Sequence, residues 1–187
     1  GSVELIRQAK RRGVRVTCEV TPHHLALTHE AVGEFNTDAK VNPPLRTEED
    51  RLALIEGVRD GTIDCIATDH APHTDWEKAA EFDSAPFGTS GLETALGVCV
   101  ETLVVPGLVT WSQLVERLSV TPAKIAGIEG GALSVGAEAD VTVIDPAARW
   151  TVDPQRFASK GHHSPFAGRT LTGTVVRTLY RGAEVVG

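Results

Sequence analysis

The 187-residue sequence contains no methionine, one tyrosine and three cysteines. No stretch approaches the ~18 apolar residues that a membrane-spanning helix needs. No basic run is present either. Lys and Arg total 18 against 25 Asp and Glu, a formal charge of −7. That balance makes nucleic acid and anionic membrane poor candidates as partners. Cys18, Cys65 and Cys99 are odd in number and far apart, so they form neither a metal knuckle nor a disulfide framework. Each lies in an apolar run and reads as a small buried hydrophobe in a reducing, cytoplasmic compartment. Internal repeats and low-complexity tracts are absent. The start, Gly1 to Arg12, is polar and helical in pattern, unlike a signal peptide. With no initiator methionine, the expectation is a processed start or part of a longer chain.

Apolar residues make up 41% and charged residues 23%, ordinary usage for a globular protein. A chain this long buries roughly two-thirds of the surface it exposes when unfolded. Val3, Leu5, Ile6 and Ala9 share a helical face that ends in basic residues and Gly13. Val14–Val20 then reads as a buried strand. Thr47 caps a second helix with Leu52, Ile55 and Val58 inward, closed by Gly61 and followed by a strand at 63–68. Helix, glycine, strand recurs, which predicts a parallel α/β sheet or barrel. Ser90 to Glu93 fits a capping box opening a helix to about Val104, with Leu92, Ala95, Leu96, Cys99 and Leu103 inward. Another helix is expected over 110–118. A short one starts at Thr121-Pro122, with proline at its first position. After about Gly130 the texture becomes β-like, with runs at 140–145, 149–152 and 173–180. The expected division is therefore an α/β body over 1–130 and a β appendix over 131–187. A (β/α)8 barrel needs about 200–250 residues. A body of about 130, with two clear strands and a possible third near Lys40-Val41, is less than half of one.

The densest polar cluster, Thr68-Asp-His-Ala-Pro-His73, directly follows an apolar strand. In a parallel barrel, strand carboxyl ends carry the active site. A carboxylate and two imidazoles there suit metal ligation or proton transfer, though a polar loop with a capping aspartate would look the same. His23 and His24 follow the earlier strand. One inward, hydrogen-bonded histidine and one on the rim is as good a reading as ligation. Asn42, before two prolines, suits ligand contact and a structural turn equally. Phe87-Gly88 is either a close backbone approach to a ligand or a turn. His162-His163 lies far from any expected strand end and reads as surface loop. Residues 74–86 suit a mobile lid or a plain loop.

Taken together, Cys18-Glu-Val-Thr-Pro-His-His-Leu25, Val41-Asn-Pro-Pro-Leu-Arg46, Asp64-Cys-Ile-Ala-Thr-Asp-His-Ala-Pro-His73 and Pro86-Phe-Gly88 resemble the bacterial class I dihydroorotases. Gly136 to Asp145 resembles the returning β segment of the wider amidohydrolase superfamily. The resemblance implies the C-terminal part of a (β/α)8 TIM-type barrel followed by part of a small β domain. It implies a zinc enzyme that interconverts N-carbamoyl-L-aspartate and L-dihydroorotate. By motif, Asp69 is the zinc-ligating catalytic base, Asn42 and His73 contact substrate, and Phe87 and Gly88 line the pocket.

The resemblance is incomplete. The family's His-x-His, its bridging aspartate, two later zinc histidines and the substrate arginine are absent from this sequence. The 187-residue polypeptide alone is therefore expected neither to hold zinc firmly nor to turn over. Rival readings are a hydantoinase-like cyclic amidase, a non-catalytic dihydroorotase-like subunit partnering aspartate transcarbamoylase, and a proteolytic fragment. Retained Asp69, Asn42 and His73 count against a decayed site. A homodimer is a further possible assembly under the family reading.

Overall fold

Helix α1 (Ser2–Arg11) has Glu4 in its first turn and Lys10 and Arg11 in its last, the order the helix dipole favours. The computed structural model describes residues 1–186, so Gly187, the end of the expected β appendix, lies outside the described residues. Strand β1 (Glu19–Val20) leads into α2 (Pro22–Ala26), whose N-cap Thr21 accepts a hydrogen bond from the His24 amide. Helix α3 (Glu48–Asp60) opens where the Thr47 hydroxyl accepts from the Asp50 amide and stops at Gly61, φ 81°. Strand β2 (Cys65–Ile66) pairs parallel with β1, Glu19 opposite Cys65 and Val20 opposite Ile66. Then follow α4 (Asp75–Lys78), α5 (Leu92–Cys99), α6 (Trp111–Val115) and α7 (Thr121–Ala126). Strands β3 (Val141–Thr151), β4 (Thr170–Tyr180) and β5 (Ala183–Val186) form an antiparallel sheet in that order.

A single basic side chain fixes the start of this body. Lys10 Nζ lies 2.7 Å from the Asp64 carboxylate and 2.8 Å from the Thr62 carbonyl. The same carboxylate accepts the Cys18 amide at 2.8 Å. The end of α1 is thereby tied to the entrances of both parallel strands. Their pairing extends a little beyond the two-residue ladder, with Asp64 N donating to Cys18 O and Ala67 N to Val20 O, both at 3.0 Å.

Several expectations shift. The strands expected over 14–20 and 63–68 shorten to two residues each. Val14, Arg15 and Thr17 are exposed, and a ladder needs a neighbour to hold it. Lys40-Val41 is not a strand, although Gly88 N donates to Lys40 O at 2.9 Å. The capping box at Ser90 does not form: Gly91 is the N-cap of α5, with no side-chain cap. Leu5, Leu52 and Leu92, expected inward, are exposed. Helix α5 continues as a π-helical turn over Val100–Val104, close to the expected end at Val104. A second π turn, Glu116–Val120, fuses α6 to α7. Pro122 is the second residue of α7, and the wider turn ahead of it relieves the ring's clash with the carbonyl four residues back. The runs at 140–145 and 149–152 are one strand, β3, bulged between Asp145 and Arg149. Asp145 Oδ1 accepts from the Ala147 and Ala148 amides at 2.9 and 3.0 Å, which shapes that bulge around Pro146.

The apolar interior has two parts. One gathers Val20, Leu25, Val58, Ile63, Leu103 and Leu114 between the parallel strands and the helices. Cys65 and Cys99 are buried as expected, and Cys18 is half-buried. The other part joins Leu27, Val41 and Val98 to Val152, Phe166 and Leu171. The β-rich segment thus shares a core with the body. Gly97 makes this possible, since a Cβ there would stand 2.9 Å from Leu171 Cβ. No helix among the described residues is long and apolar enough to cross a membrane.

His23 is the odd member of this interior. It is 3% exposed, and its Nε2 has no hydrogen-bond partner among the described residues. Burial first, and the neighbouring His24 second, push its pKa down to about 3. In the unfolded chain the imidazole takes up a proton near pH 6.5. The unfolded state therefore binds more protons between pH 6.5 and about 3, and stability falls as pH drops through that window. Urea unfolding should show a loss on the order of 2 kcal/mol from this group between pH 7 and pH 5. His23→Leu should flatten that acid limb; an unchanged slope would show that His23 does not set it.

Candidate active site

Beyond β2 the chain turns sharply. Asp69 has φ 49°, a left-handed conformation that few residues other than glycine, asparagine and aspartate adopt readily. Exposed Asp69 lines a cleft of about 710 Å³ together with Asn42, Thr21, His24 and Arg46. Beyond β1, the Thr21 hydroxyl lies 2.7 Å from His24 Nδ1, and His24 Nε2 lies 3.0 Å from the Pro43 carbonyl. A carbonyl only accepts, so the imidazole proton sits on Nε2 and Thr21 donates to Nδ1. His24 therefore couples the end of β1 to the turn that carries Asn42. Of the two adjacent histidines, His23 is the inward one and His24 reaches the cleft. The inward one lacks the Nε2 hydrogen bond expected of it.

His73, Phe87 and Gly88 form a second group beside that cleft. His73 Nε2 donates to the Phe87 carbonyl at 3.0 Å. Gly88 (φ 131°) packs so closely that a Cβ would stand 2.7 Å from the Ala71 carbonyl and 3.2 Å from His73 Nε2. Outside the strands, His70 and Thr89 form an isolated parallel bridge, with Ala71 N donating to Thr89 O at 3.0 Å.

Two buried lysines hold the segment that delivers Phe87 and Gly88. Lys78, 4% exposed, donates to the Pro86 carbonyl at 3.1 Å and the Gly88 carbonyl at 2.8 Å. Lys40, 8% exposed, donates to the carbonyls of Asp83 at 3.1 Å and Ala85 at 2.6 Å, and also to that of Phe82. Its ammonium stands 4.7 Å from the Phe87 ring centre, within cation–π range. Burial lowers the Lys78 pKa; Asp38 opposes that shift and Lys40 adds to it. Residues 74–86 are thus an anchored segment. It starts with α4, where Thr74 and Glu77 cap each other reciprocally.

His70 serves the scaffold. Its Nδ1 accepts the Gly91 amide at 3.1 Å, so its proton is on Nε2, 3.4 Å from Ser159 Oγ. Ser159 donates to Glu93 through its amide at 2.8 Å and its hydroxyl at 2.6 Å. Burial pushes the Glu93 carboxyl up, but the two Ser159 bonds outweigh it and the net shift is downward. Ser90 Oγ, meanwhile, donates to Gly161 O at 2.6 Å. Ser90 and Glu93, expected to cap a helix, instead tie it to the 159–161 loop. His163 corrects another expectation: at 5% exposure it is buried, and its Nε2 accepts the His73 amide at 3.0 Å.

The profile of the Amidohydrolase family matches residues 2–185. The chain belongs to the amidohydrolase family. Among curated proteins, this amidohydrolase is 55% identical over 186 residues to a dihydroorotase of Pelotomaculum thermopropionicum, covering 100% of the chain and 44% of that relative. It is 55% identical over 185 residues to one of Syntrophus aciditrophicus, covering 99% and 43%. Among solved structures it superposes on the L-hydantoinase of Arthrobacter aurescens with a TM-score of 0.92 at 35% identity, covering 98% of the chain and 42% of that protein. The dihydropyrimidinase of Brevibacillus agri gives a TM-score of 0.91 at 26% identity, covering 98% of the chain and 42% of that protein. The chain therefore spans about 44% of the length of the curated relatives, and its body has the TIM-barrel-type α/β fold of this family.

A catalytic zinc takes three protein ligands and a water. Among the described residues, no group of three or more His, Cys, Asp or Glu side chains is placed to hold a metal. Asp69 is a suitable oxygen donor open to the cleft, but these residues do not by themselves fit a zinc site.

Lys78→Met tests the anchor. It leaves the Pro86 and Gly88 carbonyls without their donor and removes a buried charge, two effects of opposite sign. The expected net loss is about 1–3 kcal/mol in urea unfolding, with faster amide exchange across 81–88. A variant as stable and as protected as the parent would show the lysine to be dispensable.

Proposed function

We propose that this chain supplies the C-terminal part of a dihydroorotase, a cyclic amide hydrolase of pyrimidine biosynthesis that interconverts N-carbamoyl-L-aspartate and L-dihydroorotate. The observation that carries the reading is 55% identity to curated dihydroorotases over the whole chain. In this reading residues 1–130 contribute about three barrel strands with their helices, and 131–187 the β segment of a small second domain. The remaining metal ligands come from outside this chain, in line with the share of each relative that it spans.

Zinc, when bound, acidifies a water molecule toward neutrality. Asp69 is the base. Its carboxylate takes one proton from the attacking water as oxygen bonds to the ring carbonyl carbon, and returns it to the ring nitrogen as the C–N bond breaks. In the direction of ring closure the same carboxylate carries the proton the other way. The left-handed turn at Asp69 supports this role, since an exposed, conformationally costly residue at a strand end is well suited to a reacting group. Asn42, which lines the same cleft, offers its amide to the substrate in this reading. His73 contacts substrate by exchanging its bond to the Phe87 carbonyl, and Phe87 and Gly88 line the pocket beside it. A small-molecule substrate in the cytoplasm completes the reading.

A second reading, a hydantoinase-like cyclic amidase, is favoured by the TM-score of 0.92 to an L-hydantoinase. Substrate choice separates the two. The full-length enzyme should open L-dihydroorotate and leave hydantoin and dihydrouracil untouched; the reverse preference would replace the first reading with the second. Asp69→Asn keeps the left-handed turn and removes the base. It should lower kcat at least a thousandfold with an unchanged thermal midpoint. A variant keeping a tenth of the parental rate would remove Asp69 from the proton path.

A further inference from the structure

The loop between β3 and β4 leaves the antiparallel sheet and returns to the carboxyl end of β2. It meets the His70–His73 turn at three places. Ser159 Oγ faces His70 Nε2 at 3.4 Å. Gly161 packs against the turn with no room for a side chain, since a Cβ would stand 2.7 Å from Pro72 Cβ and 2.8 Å from the His73 carbonyl. His163 Nε2 accepts the His73 amide at 3.0 Å. The far side of the loop is fastened to the body through Ser90 and Glu93, at 2.6 Å each. Apart from exposed Pro72, these partners are half-buried or buried.

We infer that this loop is a clasp, and that His163 is a positioning residue that sets where the His73 imidazole stands. The inference rests on the reading that His73 contacts substrate. The chemistry at His163 is specific. An amide N–H needs an acceptor, so Nε2 carries no proton and the ring proton sits on Nδ1. That Nδ1 is buried with no hydrogen-bond partner among the described residues, 3.7 Å from Asp38 Oδ1. The ring thus acts as a neutral acceptor, and protonation at Nε2 would convert it into a second donor against the His73 amide. Burial disfavours that protonation. Of the charged and titratable groups facing it, Lys78 and His73 oppose it while Asp38 and Asp75 favour it. Asp69, which carries the proton in the proposed reaction, touches none of these groups in the contacts described above. His163 therefore acts on the substrate-contacting arm of the site, whereas the Ser159 contact of the clasp falls on His70, next to the base.

This separation gives a kinetic signature. In the full-length enzyme, His163→Ala should raise KM for dihydroorotate about tenfold and leave kcat within about threefold, the pattern of lost uniform binding. Amide exchange at His73 should speed up at least tenfold. His163→Gln, whose amide oxygen reaches toward the place of Nε2, should restore both. Unchanged exchange at His73 in His163→Ala, or a Gln variant no better than Ala, would overturn the inference. If His163→Ala does not fold, Ser90→Ala loosens the clasp from its far side. It should also lower His73 protection, and wild-type protection in that variant would overturn the inference. Exchange is read without turnover, so an enzyme inactive on dihydroorotate would refute the dihydroorotase reading while the clasp is still decided.

Discussion

Two ammonium groups with no direct carboxylate partner among the described residues hold the site together. Lys40 and Lys78 are each more than nine-tenths buried, and both spend their protons on main-chain carbonyls between Phe82 and Gly88. That stretch has almost no regular structure of its own, so its carbonyls need donors from elsewhere. The lysines supply them, and the carbonyl dipoles in turn solvate the buried charges. Asp38 lies close enough to favour the charged form of Lys78. Without this exchange, Gly88 would have no reason to press against Ala71, and Phe87 no reason to offer its carbonyl to His73.

The geometry also divides labour among the histidines. His70, beside the base, is consumed as an acceptor at the start of α5 and joined to Ser159. His24 locks the Asn42 turn. His163 holds the His73 amide. His73 donates to a main-chain carbonyl, that of Phe87, just as His24 does to that of Pro43. A cluster that looks like a set of candidate ligands is mostly framework. Three chain segments, distant in sequence, are made to end at one place.

What could be read from the residues was what they decide locally. Thr47 and Gly61 bound α3 because a hydroxyl cap and a left-handed stop act within one turn. Asp69 and Asn42 were placed by strand ends and motif, and they do share a cleft. The misreadings have a common cause. Ser90 and Glu93 have the spacing of a capping box, but Gly161 and Ser159 compete for the same side-chain atoms and win. His163 looked remote because distance was measured along the chain, while the β3–β4 loop folds back onto the body. β1 and β2 came out shorter than their apolar runs because each has only one ladder neighbour among the described residues. The two lysines gave no signal, since a lysine between Ala39 and Val41 resembles any surface lysine until its carbonyl partners, some forty residues away, are in place.

The left-handed turn at Asp69 also narrows what this position can become. The chemistry proposed there asks for a carboxylate, and the backbone asks for a residue tolerant of φ 49°. Glutamate meets the first demand and resists the second; glycine and asparagine do the reverse. Aspartate alone meets both. A protein drifting by single substitutions has no neutral neighbour at this site, so descendants should either keep the aspartate or give up the reaction in one step, with the fold left intact around an idle cleft.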